Sequence, residues 1–307
     1  MNRRTILLSA AGASAGFAAA NDVRAAVRAA PAAKSQASRR VQVVARDGTQ
    51  LFHRDWGEGR PVVFVSGWAL NSEAWAYQAA DLSDQGLRCI AYDRRGHGRS
   101  DDPGQGYDLD TLADDLHAVM ETLDLKDVVL VAHSFGGKEI TRYVSRHGDA
   151  RVARMVFLAP AMPFLLKTDD NPYGAPQAYF DHVQAQWRAD FPKWVDDNTA
   201  PYVTPETSQG LIDWTKRQML QASLRAVLDV GRINVHEDMR AELTRIKRPV
   251  LVIHGTKDAS APLDITGRRV AALVPGAEFK IYEGAPHGLY MTHMAKLNAD
   301  LLAFAKA

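Results

Sequence analysis

The chain has 307 residues, of which 46% are hydrophobic, and its formal net charge at pH 7 is +1. This composition is typical of a globular protein with one large domain or two small ones. The balanced charge argues against nucleic acid or an anionic membrane surface as a partner. No apolar run reaches the roughly 20 residues that a membrane-spanning helix needs.

Residues 1–40 have the pattern of an export signal followed by a linker. The pair Arg3-Arg4 precedes a mild apolar stretch, which is typical of a twin-arginine signal peptide. Ala18-Ala19-Ala20 and Val23-Arg24-Ala25 are two candidate cleavage sites. We therefore expect a periplasmic or secreted protein, and the alternative interpretation is a disordered alanine-rich tail.

From residue 41 to residue 307 the sequence predicts a single α/β domain, because short β-rich runs alternate with longer amphipathic segments. Residues 41–45 and 51–56 predict a hairpin that turns at Asp47-Gly48. Further strands are predicted at 61–66, 87–92, 128–132, 154–158, 249–253 and 277–282. The clearest predicted helices are at 111–123 and 138–147, and a closing helix is predicted at 293–304. Strand runs that are apolar on both faces predict a mostly parallel sheet with helices on both faces.

The alternation stops between about residues 163 and 239, a stretch rich in Trp, Tyr, Phe and Pro. The segment predicts a helical cap insertion over the carboxyl ends of the strands, where ligands bind in open α/β sheets. Trp187, Trp194, Tyr202 and Trp214 are candidates for lining a pocket beneath it, although most of them are expected to pack the cap on the core.

The run Ala132-His133-Ser134-Phe135-Gly136 follows a β-branched strand and precedes a predicted helix, which is typical of a nucleophile elbow. Small residues on either side of the serine permit a tight turn. The turn would lift the Ser134 hydroxyl clear of the sheet, near helix N–H groups that favour negative charge. Such a motif also occurs by chance, so its assignment as an elbow depends on whether the rest of the chain supplies a base and an acid.

A serine hydroxyl needs a base, and the base needs an orienting partner. In this fold the chain order is Ser, then Asp or Glu, then His, with the later two on loops after strands. Asp258 and His287 satisfy this order, so we predict a triad of Ser134, Asp258 and His287. The nearby Asp264 is interpreted as the N-cap of the next helix.

An oxyanion hole needs two donors, and we predict the backbone N–H groups of Phe135 and Trp68. Gly67 would let the loop that carries Trp68 approach closely. His133 lies within the elbow, and its ring is expected to point elsewhere. The single cysteine, Cys89, is expected in a buried strand, and the sequence shows no Cys/His cluster with metal-ligand spacing.

Three blocks of the sequence resemble the α/β-hydrolase superfamily, specifically its cofactor-free haloperoxidase and aryl esterase group. They are AYDRRGHGRS at 91–100, VAHSFGG at 131–137 and YEGAPHG at 282–288. The resemblance implies the α/β-hydrolase fold and a serine esterase that needs no metal or organic cofactor. It also implies that hydrogen peroxide can capture the acyl-enzyme to give a peracid.

Two residues depart from this group's pattern: Ser66 stands where a histidine is usual, and Ala69 where members associated with perhydrolysis often have proline. Proline would restrain the backbone and alanine leaves it freer, so we expect hydrolysis of small esters rather than efficient perhydrolysis. The alternatives are a lactonase or γ-lactamase with the same triad, and a non-catalytic ligand-binding protein. A serine at position 134 disfavours haloalkane dehalogenase chemistry, which needs a carboxylate there.

Overall fold

The computed structural model describes residues 41–307, so the predicted signal, cleavage sites and linker lie outside the described residues. The strands in this part of the chain are β1 (Val43–Val44), β2 (Gln50–Leu51), β3 (His53–Trp56), β4 (Arg60–Val65), β5 (Leu87–Tyr92), β6 (Val128–His133), β7 (Val152–Leu158), β8 (Val250–Gly255) and β9 (Glu278–Tyr282). The α-helices are α1 (Ala76–Asp84), α2 (Leu109–Thr122), α3 (Gly136–His147), α4 (Gln177–Asp197), α5 (Gln209–Met219), α6 (Leu224–His236), α7 (Arg240–Leu243), α8 (Gly267–Leu273), α9 (Leu289–Thr292) and α10 (Met294–Lys306).

Seven of these strands form one sheet in the order β3-β5-β4-β6-β7-β8-β9. Only the β3–β5 pair within it is antiparallel, and the other neighbours are parallel. Every residue of β6 and of β8 is buried, because helices cover the sheet on both faces with two separate apolar clusters. The predicted mostly parallel α/β sheet is therefore confirmed.

The N-terminal hairpin is shorter than predicted. β1 and β2 pair antiparallel, but the second arm ends at Leu51, and β3 joins the large sheet through β5. The chain leaves the hairpin because its next hydrogen bonds go to the loop after β5: the Phe52 amide donates to Ser100 Oγ at 2.9 Å. The prediction of one continuous strand over 51–56 was wrong for this reason.

Helices α4 to α7 lie between β7 and β8, in the stretch where the sequence pattern predicts a helical insertion. α4 is kinked at Asp190, whose backbone is non-helical two residues before Pro192. An apolar cluster joins this segment to the loop after β4; its buried members are Ala69, Trp187, Phe191, Val195, Ala222, Val227 and Leu228. The segment is thereby packed against the carboxyl end of β4.

Two further observations on the described part concern its cysteine and its helices. Cys89 is 1% exposed in β5, and burial raises the pKa of its thiol to about 12, as expected of a core cysteine. Within residues 41–307, no helix combines the length and the apolar character needed to cross a bilayer.

Candidate active site

Ser134 stands at the apex of a sharp turn between β6 and α3. Its φ is 53°, an uncommon left-handed conformation for a residue with a side chain. Its amide donates to the Leu158 carbonyl at 3.0 Å, which ties the turn to β7. Gly136 is needed on structural grounds, because a Cβ there would lie 2.7 Å from the Val65 carbonyl oxygen. These features form the strand–turn–helix predicted for a nucleophile elbow.

The structure brings Ser134, His287 and Asp258 together, although they follow three different strands. His287 Nε2 lies 3.0 Å from Ser134 Oγ, and His287 Nδ1 lies 2.7 Å from Asp258 Oδ2. Ser134, His287 and Asp258 are 7%, 5% and 6% exposed, so their hydrogen bonds are shielded from water. The hydroxyl can donate to Nε2 while Nδ1–H donates to the carboxylate, which is the arrangement of an activated serine.

Asp258 is held by donors on both carboxylate oxygens. Its Oδ1 accepts the amides of Ser260 and Ala261 at 2.9 and 2.7 Å. Burial by itself would raise the pKa of Asp258, but the charge of His287 and the hydrogen bonds of His254 and His287 outweigh burial. The pKa therefore lies well below its ordinary value, and the carboxylate is charged at neutral pH.

The sequence reasoning missed His254, a second histidine at the carboxylate. His254 is fully buried, and its Nε2 lies 3.1 Å from Asp258 Oδ2 and 2.8 Å from the Ala261 carbonyl oxygen. A carbonyl can only accept, so Nε2 carries the proton. The available signal was a histidine inside a buried strand, four residues before the predicted acid.

The ring of His133 packs against the site, so the prediction that it points elsewhere was wrong. Its centroid lies 4.7 Å from that of His287, and its Nε2 donates to the His287 carbonyl at 3.1 Å. Burial, and then the charge of His287, lower the pKa of His133 well below its ordinary value. His133 is thus a neutral ring that supports the loop carrying His287.

The loop after β4 lies directly against the elbow. A Cβ at Gly67 would lie 2.7 Å from His133 Nδ1 and 3.3 Å from Ser134 Cβ, so glycine permits the approach. In the described part of the chain, the amides of Trp68 and Phe135 have no hydrogen-bond acceptor. They are thus available as donors on either side of Ser134.

Two sequence-based expectations for neighbouring residues need correction. Ala69 is 1% exposed with φ 58°, so its backbone is held in the left-handed region rather than left free. The N-cap of α8 is Thr266 and not Asp264. The helix begins later because the amides of Ile265 and Thr266 both donate to Pro262, forming a turn first. Asp264 is exposed and accepts Arg268 Nε at 2.9 Å.

A cavity of about 280 Å³ opens onto Ser134 and His287. Aromatic side chains from the segment between β7 and β8 line much of it: Tyr179, Phe180, Trp187, Trp194 and Tyr202. Trp214 is not among the lining residues; it packs edge-on against Tyr77, with ring centroids 5.7 Å apart. The Ser134 hydroxyl therefore faces a pocket suited to an apolar group.

Comparison with known proteins places these features in a family. Residues 60–212 match the model of the alpha/beta hydrolase fold. The chain is 41% identical to a non-heme chloroperoxidase of Kitasatospora aureofaciens, over 84% of this chain and 97% of that protein. It is 35% identical to a bifunctional esterase/perhydrolase of Acinetobacter calcoaceticus, over 86% and 99% of the two chains.

Among solved structures, a bromoperoxidase from Bacillus anthracis superposes with a TM-score of 0.83 and 33% identity, covering 87% of this chain and all of that one. This superposition extends over most of the residues that the structure describes. The chain therefore belongs to the α/β-hydrolase fold family, in which its relatives include non-heme haloperoxidases, as the three sequence blocks predicted.

Proposed function

We propose that the protein is a serine hydrolase that cleaves small carboxylic esters through an acyl-enzyme. The observation that carries this proposal is the continuous chain of contacts from Ser134 Oγ to His287 and on to Asp258, at 3.0 and 2.7 Å. These three groups open onto an apolar cavity large enough for a small acyl or alcohol group. The esterase/perhydrolase relative from Acinetobacter supports the same reaction class.

The reaction follows from the geometry. Ser134 Oγ attacks the ester carbonyl carbon while His287 Nε2 takes its proton, and Asp258 stabilises the imidazolium that forms. The negative charge moves to the former carbonyl oxygen, between the N–H groups of Trp68 and Phe135. The C–O bond to the alcohol then breaks, and the alcohol leaves with the proton from His287.

The acyl-enzyme is resolved by the same groups in reverse roles. His287 takes a proton from water, the resulting nucleophile attacks the acyl carbon, and the acid leaves as Ser134 regains its proton. Hydrogen peroxide in place of water would give a peracid by the same bond changes. We propose hydrolysis as the main reaction and perhydrolysis as a side reaction.

The direct test is hydrolysis of 4-nitrophenyl acetate and butyrate by the wild type and by Ser134→Ala. We expect turnover to fall about 10⁴-fold or more, because the covalent step is lost. Ser83→Ala, in α1 and not among the residues that line the cavity, is the control and should match the wild type. A loss below tenfold in Ser134→Ala would contradict the assignment.

The same purified protein serves to distinguish the lactonase, γ-lactamase and ligand-binding alternatives. A folded wild type without turnover of 4-nitrophenyl esters is assayed on a γ-lactone and a γ-lactam. Ring opening that depends on Ser134 would move the proposal to the cyclic substrate. Absence of turnover on all three classes, with no labelling of Ser134 by a fluorophosphonate, would favour the binding protein.

A further inference from the structure

Arg94 and Glu139 form an ion pair inside the protein beside the candidate active site. Arg94 Nε and Nη2 donate to Glu139 Oε1 and Oε2 at 2.6 and 2.7 Å. Their side chains are 3% and 0% exposed. A pair buried this deeply gains little stability over an apolar pair, because removing both charges from water offsets their attraction. The other contacts of Arg94 therefore indicate the role of the pair.

The guanidinium of Arg94 also binds the loop that follows β4. Nη2 donates to the Ser66 carbonyl at 2.7 Å, and Nη1 to the Gly67 carbonyl at 3.3 Å. The Gly67 carbonyl belongs to the same planar peptide group as the Trp68 N–H. The peptide bond is trans, so the C=O and N–H bonds point in opposite directions and their dipoles are aligned. Arg94 on the carbonyl side thus directs the Trp68 N–H away from itself and polarises it as a donor.

The same guanidinium contacts the other side of the elbow. Its Cζ lies 5.2 Å from the ring centroid of Phe135, and its partner Glu139 lies in the first turn of α3. Phe135 is the N-cap residue of that helix. One buried cation therefore touches the peptide that carries the Trp68 N–H and the residue that carries the second N–H.

We propose that Arg94, held by Glu139, is a positioning residue that sets the direction and spacing of the two oxyanion donors. The role rests on the proposed function, because the group bound between the donors is the oxyanion of an ester. Arg94 and Glu139 do not line the cavity formed by the described residues, so neither touches the substrate. Arg94 acts through the 67–68 peptide and through α3.

The chain provides a matched control in the adjacent residue. Arg95 pairs with Asp115 through two hydrogen bonds of 2.6 Å, and both side chains are 1% exposed. Its remaining donors go to Asp47 on the surface of the N-terminal hairpin. The Arg95 pair therefore matches the Arg94 pair in burial and geometry, but Arg95 donates to Asp115 and Asp47 rather than to the loop that carries Trp68.

The experiment replaces each pair by apolar residues, which avoids leaving one buried charge unpaired. In Arg94→Met/Glu139→Met we expect kcat for 4-nitrophenyl butyrate to fall about 10- to 100-fold with KM within twofold. This is less than the roughly 10²- to 10³-fold cost of deleting an oxyanion donor, because both N–H groups remain. Arg95→Met/Asp115→Met should keep kcat within about threefold.

A second readout separates positioning from a general structural effect. A trifluoromethyl ketone forms a tetrahedral adduct with the serine, whereas the product acid binds without one. In Arg94→Met/Glu139→Met we expect the dissociation constant of the ketone to rise by the same factor by which kcat/KM falls. The dissociation constant of the acid should not change. If that variant does not fold, Arg94→Lys is used instead. Its single ammonium group cannot replace the forked donors of the guanidinium, so kcat should again fall at constant KM.

The outcomes distinguish this role from the proposed function. In the first outcome, the esterase activity of the wild type depends on Ser134, and the folded Arg94 variant has the kcat and the ketone affinity of the wild type. This result overturns the positioning role but leaves the proposed esterase function in place. Equal losses in both pair variants also overturn it. A wild type that neither turns over esters nor reacts with a fluorophosphonate overturns both proposals.

Discussion

Trp68 Nε1 donates a hydrogen bond of 2.8 Å to the Val227 carbonyl oxygen. Trp68 belongs to the loop beside Ser134, whereas Val227 belongs to α6, in the segment between β7 and β8. The Trp68 ring also stacks on Trp187 of α4, with centroids 4.3 Å apart. The residue proposed to supply an oxyanion donor is therefore held by two helices that line the cavity at Ser134.

Trp68→Phe tests this connection, because it keeps the backbone N–H and an aromatic ring but removes the Nε1 donor. We expect kcat for 4-nitrophenyl butyrate to fall about fivefold, which corresponds to one hydrogen bond of about 1 kcal/mol. The measurement is kcat at saturating ester, with Trp214→Phe as the control. Equal kcat in the wild type and in Trp68→Phe would contradict the connection.

Asp258→Asn should abolish most of the activity while preserving the fold. The amide keeps the size of the side chain but cannot hold His287 in the required tautomer, so we expect a loss of about 10⁴-fold in kcat. Asp264→Asn is the matched control, since its carboxylate is exposed and pairs with Arg268. Comparable losses in both variants would show that the assignment of the acid is wrong.

Gly231→Ala should alter substrate preference. A Cβ at Gly231 would lie 2.4 Å from Trp187 Cζ3, so the indole must move and the cavity that it lines must change shape. We expect kcat/KM for 4-nitrophenyl octanoate to fall about tenfold more than that for the acetate. Gly210→Ala, where an added Cβ has no neighbour within 4 Å, should leave the ratio unchanged.

Ala69→Pro should destabilise the protein, because proline requires φ near −65° and Ala69 has φ 58°. We expect the free energy of unfolding to fall by more than about 1 kcal/mol, whereas Ala69→Gly should be close to neutral. Thermal unfolding of both variants measures this. The ratio of peracid to acid formed by folded Ala69→Pro then tests the hypothesis drawn from the sequence, and an unchanged ratio counts against it.

Lys138 should make stability depend on pH. It is fully buried, with its Nζ donating to the Glu237 carbonyl at 2.6 Å, and burial lowers its pKa to about 7. In the unfolded chain the Lys138 ammonium keeps its proton up to about pH 10.4. Above pH 7 the unfolded chain therefore binds more protons than the native state. The free energy of unfolding should therefore rise with pH in this window, by up to about 1.4 kcal/mol per unit.

Urea unfolding of the wild type and of Lys138→Met at pH 7, 8 and 9 measures this effect. The wild type should gain stability relative to the variant as the pH increases, since methionine does not titrate. Lys306→Met, at an exposed lysine near the C-terminus, is the control and should run parallel to the wild type. Parallel curves for Lys138→Met and the wild type would contradict the prediction.

The sequence could predict the sheet and the elbow because both are encoded by local patterns. The predicted strands of the large sheet after β3 and the helices predicted at 111–123, 138–147 and 293–304 agree with the structure within two residues at each end. Burial of a strand on both faces needs a continuous apolar run, and a turn as tight as that at Ser134 needs small neighbours. The chain order of Ser134, Asp258 and His287 then indicated three residues that the structure brings together.

Tertiary structure alone decided the surroundings of those residues. His254 reaches the Asp258 carboxylate, and His133 reaches the His287 carbonyl across 154 positions of sequence. The four-residue spacing of His254 and Asp258 permits the first contact but does not specify it, and the second has no local signal, because both depend on how neighbouring strands and the loops after them are placed. The sequence thus determined the fold and the three candidate catalytic residues, whereas packing across the sheet decided which buried donors and charges hold those residues in place.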